Sequence, residues 1–176
     1  YASYEDLAEL IRHNFTDPKD TLRELYGRIC FNVLCGNTDD HARNHAAFWD
    51  GKRLKLTPAY DICPQGRAGG EATQAMLIKG ENRMSTLSAC LLAAPDFHLS
   101  EDEAAALIEN QTETIAKNWS ALCDEAALTP VDAKLFAGRQ FLNPYCTQGL
   151  SGEHKALADQ FDDARAQIID LSAQHG

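Results

Sequence analysis

The stretch DPKDTLRELYGRICFNVLCGNTDDHARN, residues 17–44, carries the strongest helical signal in the chain and the abrupt end of that signal. Asp17 followed by Pro18 reads as an N-cap and a first helical position, because Pro loses no hydrogen bond there. Leu22, Leu25, Tyr26, Ile29, Cys30, Val33 and Leu34 then recur at i, i+3, i+4 and i+7, which places seven apolar side chains on one helix face. Gly36 stops the pattern. Asn37 to His45 is polar and reads as a loop. A long buried helix is therefore predicted to deliver the chain straight into a polar segment.

Working outward, Ala46-Ala47-Phe48-Trp49 and Arg53-Leu54-Lys55-Leu56-Thr57 flank Asp50-Gly51, a hairpin signal, and Pro58 closes the second run. A turn centred on Asp50-Gly51 pairs positions whose numbers sum to roughly 101, so that Asn44 falls opposite about position 57. Asp61 lies just beyond, so the hairpin returns it towards Asn44. Residues 62–83 contain Gly66, Gly69, Gly70 and Gly80 and show no clear period, as expected of a functional loop. Arg67, Lys79 and Arg83 in it read as solvated charges rather than phosphate contacts.

Helices are predicted on both sides. Ser3 opens one with Leu7, Leu10 and Ile11 on a common face. Ser85 is the expected cap of Leu87–Ala94. Ser100 and Glu103 make a capping box ahead of Leu107, Ile108, Ile115, Trp119 and Leu122. Thr129-Pro130 starts another helix with Val131, Leu135 and Phe136 inward. After Asn143-Pro144 a last helix bears Leu157, Phe161, Ile168 and Leu171. Trp49 and Trp119 are expected to pack, against the hairpin and in the core. The fold class is mainly α, within α+β: a helical bundle with one hairpin inserted near its front.

The 176 residues are enough for one cored domain over 1–176, and the apolar fraction of 44% and charged fraction of 24% are ordinary for a globular chain. A net charge of −10 argues against non-specific nucleic-acid or anionic-membrane binding. It fits a protein that meets anionic ligands through metal ions. No apolar run reaches the roughly 18 residues of a membrane span, and Tyr1–Asp6 lacks a secretion signal, so a cytoplasmic protein is expected. Cys30, Cys35, Cys63, Cys90, Cys123 and Cys146 form no Cys-x-x-Cys pair and are expected to be reduced thiols. The first residue is Tyr rather than Met, which leads us to expect a piece of a longer chain.

The chemistry concentrates in Asp39, Asn44 and Asp61. Two carboxylates and an amide oxygen converging at a strand end form the hard-oxygen set that Mg²⁺ prefers when phosphates complete its shell. Asp39 can then orient or deprotonate an acceptor hydroxyl while Asn44 and Asp61 hold the metal. Asp61 stands between Tyr60 and Ile62, an apolar context in which burial needs a partner. Competing readings exist. Asp39-Asp40 can be a solvated turn. His41 and His45, spaced i, i+4, can suggest a zinc pair, although the Glu of His-Glu-x-x-His is missing. Asp39, Asp40, His41 and Asp61 can serve a two-metal phosphohydrolase. In the preferred reading His41 props the loop by hydrogen bonding and His45 is a simple strand residue.

Asp-x-His-x-x-Asn (Asp39, His41, Asn44), the hairpin and Tyr60-Asp61, together with the flanks Gly36-Asn37-Thr38 and Leu56-Thr57-Pro58-Ala59, resemble the catalytic loop and metal-binding aspartate of HipA-type serine/threonine protein kinases. That resemblance implies the helical C-terminal lobe of a protein-kinase-like fold, its β-hairpin carrying the active-site loop. It implies Asp39 as the catalytic aspartate with His41 beside it, and Asn44 and Asp61 as the cofactor-holding ligands of Mg²⁺. ATP is the implied co-substrate, and a serine or threonine of a protein, such as an aminoacyl-tRNA synthetase, the acceptor. Such kinases are toxins held by a DNA-binding antitoxin of the HipB type. The chain departs from the pattern at His45-Ala46-Ala47, where an aromatic-Ser start is more usual. It also holds no Gly-rich phosphate loop and no strand Lys, so a separate N-terminal lobe is expected to grip the nucleotide and the chain alone to be catalytically weak. A non-catalytic module that only binds an antitoxin is the remaining alternative.

Overall fold

The computed structural model describes residues 1–175, which are mainly helical with one small antiparallel hairpin. The order is α1 (Tyr4–Asn14), α2 (Pro18–Cys35), a 3-10 turn (Ala42–Asn44), β1 (Ala47–Trp49), β2 (Leu54–Leu56), α3 (Leu87–Ala93), α4 (Glu101–Glu125), α5 (Pro130–Phe136) and α6 (Lys155–Gln174). Local chemistry sets most of the boundaries. The Ser3 hydroxyl accepts from the Asp6 amide at 3.0 Å, Ser100 and Glu103 form a reciprocal capping box, and Thr129 accepts from the Asp132 amide at 3.1 Å. Asp17 occupies the N-cap of α2, but its carbonyl rather than its carboxylate takes the bonds, from the Thr21 amide and hydroxyl. Ser85 is not the cap of α3. Its amide is used in pairing with Ala72, and Thr86 caps instead, accepting from the Ala89 amide.

The predicted face of α2 is buried in full, from Leu22 to Leu34, and forms the axis of one contiguous apolar core. Two buried polar contacts fix its neighbours. The Tyr26 hydroxyl donates to the Cys90 carbonyl of α3 at 2.8 Å, and Trp119 Nε1 of α4 donates to Ser172 Oγ of α6 at 2.7 Å. Both rings thereby bury their area without stranding a donor. All six cysteines are free thiols, and only Cys63 is exposed. No described helix is long and apolar enough to cross a membrane.

Several side chains fall elsewhere than the spacing predicts. In α1 the buried residues are Tyr4, Ala8 and Ile11, while Leu10 faces outward. In α5 Ala133 alone is buried, and Val131, expected inward, is 67% exposed. Close helix approach selects the small residue, which hydropathy alone does not reveal. Trp119 is core, whereas Trp49 is 72% exposed on β1 beside an exposed Phe48, so that Trp49 stands largely in solvent.

The hairpin register also differs. Ala47 pairs with Leu56, Phe48 with Lys55 and Trp49 with Leu54. The loop is four residues long because the Asp50 carboxylate accepts from the amides of Lys52 and Arg53, both at 2.8 Å. A shift of two positions keeps every side chain on its face. Residues 62–83 are not without a period either. Gln74, Met76 and Ile78 alternate inward, and the segment pairs with the N-terminal strand-like residues through Tyr4 N to Leu77 O and Leu77 N to Ala2 O, both 2.9 Å. Lys79, though its side chain stays 41% exposed, is correspondingly a paired charge: it bridges Glu5 at 2.9 Å and Asp96 at 2.8 Å. The hydrogen bonds it donates to Asp96 and then Glu5 hold its ammonium above the ordinary lysine value. Arg83 lies over the Tyr1 ring, 4.3 Å from its centroid.

Gly36 ends α2 at φ +74, and a Cβ there would stand 2.6 Å from the Gln140 carbonyl oxygen. Gly36→Ala is therefore expected to cost at least about 1–2 kcal/mol from the left-handed backbone alone, with the backbone clash in addition. Urea unfolding of the variant reads the loss directly; a midpoint within error of the wild type refutes the argument.

Candidate functional site

The polar segment after α2 is pinned from three sides. The Asn37 amide bonds back to the Asn32 carbonyl at 2.9 Å and its side chain to Asn32 Oδ1 at 3.0 Å. Gln74 Nε2 donates to the Asn37 carbonyl at 3.0 Å, and the Gln65 amide to the Gly36 carbonyl at 2.9 Å. On this base Asp39 is exposed, and its carboxylate makes no hydrogen bond or ion pair among the described residues. Asn44 closes the 3-10 turn, its amide bonded to the His41 carbonyl at 2.8 Å, and is buried. Asn44 Nδ2 donates to the Asp39 carbonyl at 3.3 Å, which joins the two ends of the motif and leaves Oδ1 without a protein partner among the described residues.

Asp61 arrives from the other side of the hairpin. The Tyr60 hydroxyl donates to the Arg43 carbonyl at 2.8 Å, so the residue before Asp61 is tied to the residue before Asn44. Asp61 itself has φ +56, a left-handed conformation that costs a non-glycine residue about 1 kcal/mol or more and that gathers at functional sites. It is not buried among apolar neighbours as its context suggests. Asp61, Tyr60 and Ile62 are all exposed, and the Asp61 carboxylate has no protein partner among the described residues.

The histidines exchange the roles expected of them. His41 Nδ1 is enclosed without a hydrogen-bond partner, so His41 does not prop the loop through it. His45 does: its Nε2 meets Asp40 Oδ2 at 2.9 Å, with both side chains almost fully buried. The same carboxylate oxygen accepts a short hydrogen bond from the Tyr4 hydroxyl of α1, and the Tyr4 and His45 rings meet edge to face at 6.0 Å. Burial first, and then the facing Asp40 carboxylate, push the Tyr4 hydroxyl well above its ordinary pKa, so it stays a donor. Asp39 and Asp40, adjacent in sequence, thus do opposite things. One carboxylate is open to solvent and the other is a buried anchor joining loop, helix and hairpin. The sequence carries no local signal for this, because Tyr4 and Asp40 are 36 positions apart.

Asp39, Asp40, His41 and Asp61 are not gathered into a shared site. Among the described residues no group of three or more His, Cys, Asp or Glu side chains is arranged to hold a metal ion. This removes the ligand cluster that a two-metal phosphohydrolase or a zinc site needs. The open oxygens of Asn44 and Asp61 fit a different demand, that of Mg²⁺, which takes one or two protein oxygens and leaves its other positions to water and phosphate. The site is an open surface. A concavity of about 560 Å³ between α2 and the hairpin contains none of Asp39, Asn44 or Asp61.

Two comparisons with known proteins bear on this geometry. Residues 1–119 match the family described as HipA-like C-terminal domain. Over 60 residues the chain is 30% identical to a protein of Sinorhizobium fredii (strain NBRC 101917 / NGR234) named "Putative kinase Y4mE". That match covers 34% of the chain and 14% of the relative, so the chain corresponds to only a small part of the relative's length.

Proposed function

Because the chain belongs to the HipA-like C-terminal domain family, we propose that it is the catalytic half of a protein serine/threonine kinase, moving the γ-phosphoryl group of ATP onto a protein hydroxyl. The observation that supports this reading is that hydrogen bonds tie together the segments carrying Asp39, Asn44 and Asp61, whose side-chain oxygens accept from no protein donor among the described residues. The bonds are those from Asn44 Nδ2 to Asp39 O and from Tyr60 to Arg43.

In this reading Asp39 accepts the proton of the acceptor hydroxyl as its oxygen bonds to the γ-phosphorus and the bond to the ADP oxygen breaks. Asn44 Oδ1 and the Asp61 carboxylate would hold Mg²⁺, which would supply charge neutralisation on the phosphates. Rigidity comes from the pinned loop, so little reorganisation accompanies transfer. The nucleotide-gripping elements are assigned to a further lobe of the parent protein, a reading supported by how much longer the relative is than the matched stretch. A serine on an aminoacyl-tRNA synthetase and restraint by a HipB-type antitoxin are part of the same proposal, carried by the family alone.

Asp61 supplies the test. Asp61→Gly relaxes the left-handed backbone and removes the carboxylate together. In the parent protein, transfer of labelled phosphate from ATP is expected to fall by at least about 10²-fold, with a raised Mg²⁺ requirement, while stability holds or rises by about 0.5–1 kcal/mol. Retained transfer at normal Mg²⁺ refutes Asp61 as a ligand. Lost stability assigns it to the fold instead.

A further inference from the structure

Six positions beyond Asp61 the chain borders a second polar site that phosphoryl transfer does not use. The Arg67–Gly70 segment and the 3-10 turn Pro144–Thr147 border a cavity of about 480 Å³, lined by Arg67, Gly69, Gly70, Arg139, Asn143 and Tyr145 among others. No carboxylate lines it, in a chain of net charge −10. Arg67 is only 9% exposed. Its Nη2 donates to the Gly70 carbonyl and its Cζ lies 6.0 Å from the centroid of the Tyr145 ring, so the guanidinium is held in place. Nε and Nη1, both enclosed, nevertheless find no acceptor among the described residues. Arg139 Nη2 donates to the Arg67 carbonyl at 3.1 Å, which brings a second guanidinium alongside.

A buried cation without a counter-charge is unfavourable, and proteins rarely keep one that nothing visits. Burial holds Arg67 below the ordinary arginine value, and the groups felt there are Cys146 and Tyr145 rather than any acid. The nearby acid Glu71 acts on Tyr145 instead. The backbone is equally available. A Cβ at Gly69 or Gly70 would meet nothing within 4 Å, and the amides of residues 68–71 donate to no protein acceptor among the described residues. Planar guanidinium donors beside free loop amides are the chemistry that recognises a tetrahedral oxyanion. We propose that this cavity binds a phosphate-class oxyanion, free or on a phosphorylated side chain, between Arg67, Arg139 and the Gly69-Gly70 backbone. The volume exceeds what a bare anion fills and admits the residues flanking a phosphorylated side chain. This site goes beyond the kinase reading and stands whether or not that reading does.

Inorganic phosphate and a synthetic phosphoserine peptide, titrated separately into the full chain at constant ionic strength, provide the test. Calorimetry gives affinity, and the amide NMR signals of Gly69 and Gly70 give location. Saturable binding that moves those two signals is expected, weakened by about tenfold or more in Arg67→Gln and in Arg139→Gln. Arg67→Gln removes an unpaired buried charge and should unfold no earlier than wild type in phosphate-free buffer. Should it fail to fold, Arg139→Gln at an exposed position carries the same test. A peptide bound about tenfold more tightly than phosphate identifies a phosphorylated side chain as the source, and equal affinities identify the free anion. No saturation with either probe, the same shifts with chloride, or unchanged affinity in the variants overturns the site.

Discussion

Asp39→Ala in the parent protein is expected to lower the turnover number for phosphoryl transfer by about 10²–10⁴-fold, the range that a positioned general base contributes. The KM for Mg·ATP should barely move, because Asp39 is not among the proposed metal ligands. Stability should stay within about 0.5 kcal/mol of wild type, since the carboxylate is exposed and touches no protein donor. These three outcomes together distinguish a catalytic residue from a structural one, and steady-state kinetics with a thermal melt reads them all. Asp39→Asn keeps the shape and removes the base, so its loss should be nearly as large. A variant that transfers phosphate at the wild-type rate would defeat the kinase reading at its centre, and would leave the family fold acting as a binding module.

The contrast between Asp39 and its neighbour shows what a sequence can and cannot deliver. The face of α2, the stop at Gly36 and the return of the hairpin follow from spacing and turn chemistry, which act over a few residues, and they were legible. The motif was legible for the same reason: Asn44 reaches back five positions to Asp39, within one loop. Long-range packing was not. Val131 and Leu135 carry the hydropathy of core residues, yet Ala133 is the one that α5 buries, because the space available there is set by other elements. The alternation of Gln74, Met76 and Ile78 is masked in the sequence because one of its three inward positions is polar, and Gln74 is spent on the Asn37 carbonyl. Arg67 and Lys79 look alike in sequence as loop cations. One is neutralised by Glu5 and Asp96, and the other is buried without a counter-charge. Only the fold separates them.

Asp40→Ala should be the most damaging substitution to the fold near the site, costing about 3–5 kcal/mol. Asp40 is 4% exposed and its carboxylate accepts from both the Tyr4 hydroxyl and His45 Nε2, so its removal strands two enclosed polar groups as well as opening a void. Against a total of about 5–15 kcal/mol for a domain, that loss is large enough to populate unfolded chain at physiological temperature. Asp40→Asn retains one acceptor oxygen in the same volume and should cost only about 1–3 kcal/mol. The double variant with His45→Ala should lose less than the sum of its parts, because the two side chains share one bond. Urea unfolding of the four proteins closes the cycle. Additive losses would mean that the Asp40–His45 contact contributes nothing of its own, which leaves the Tyr4 hydroxyl as the partner that Asp40 holds. Strong coupling would mean that the Tyr4–Asp40–His45 network fixes the segment from its buried side, and so holds Asp39, one residue away, at a constant height above the open face.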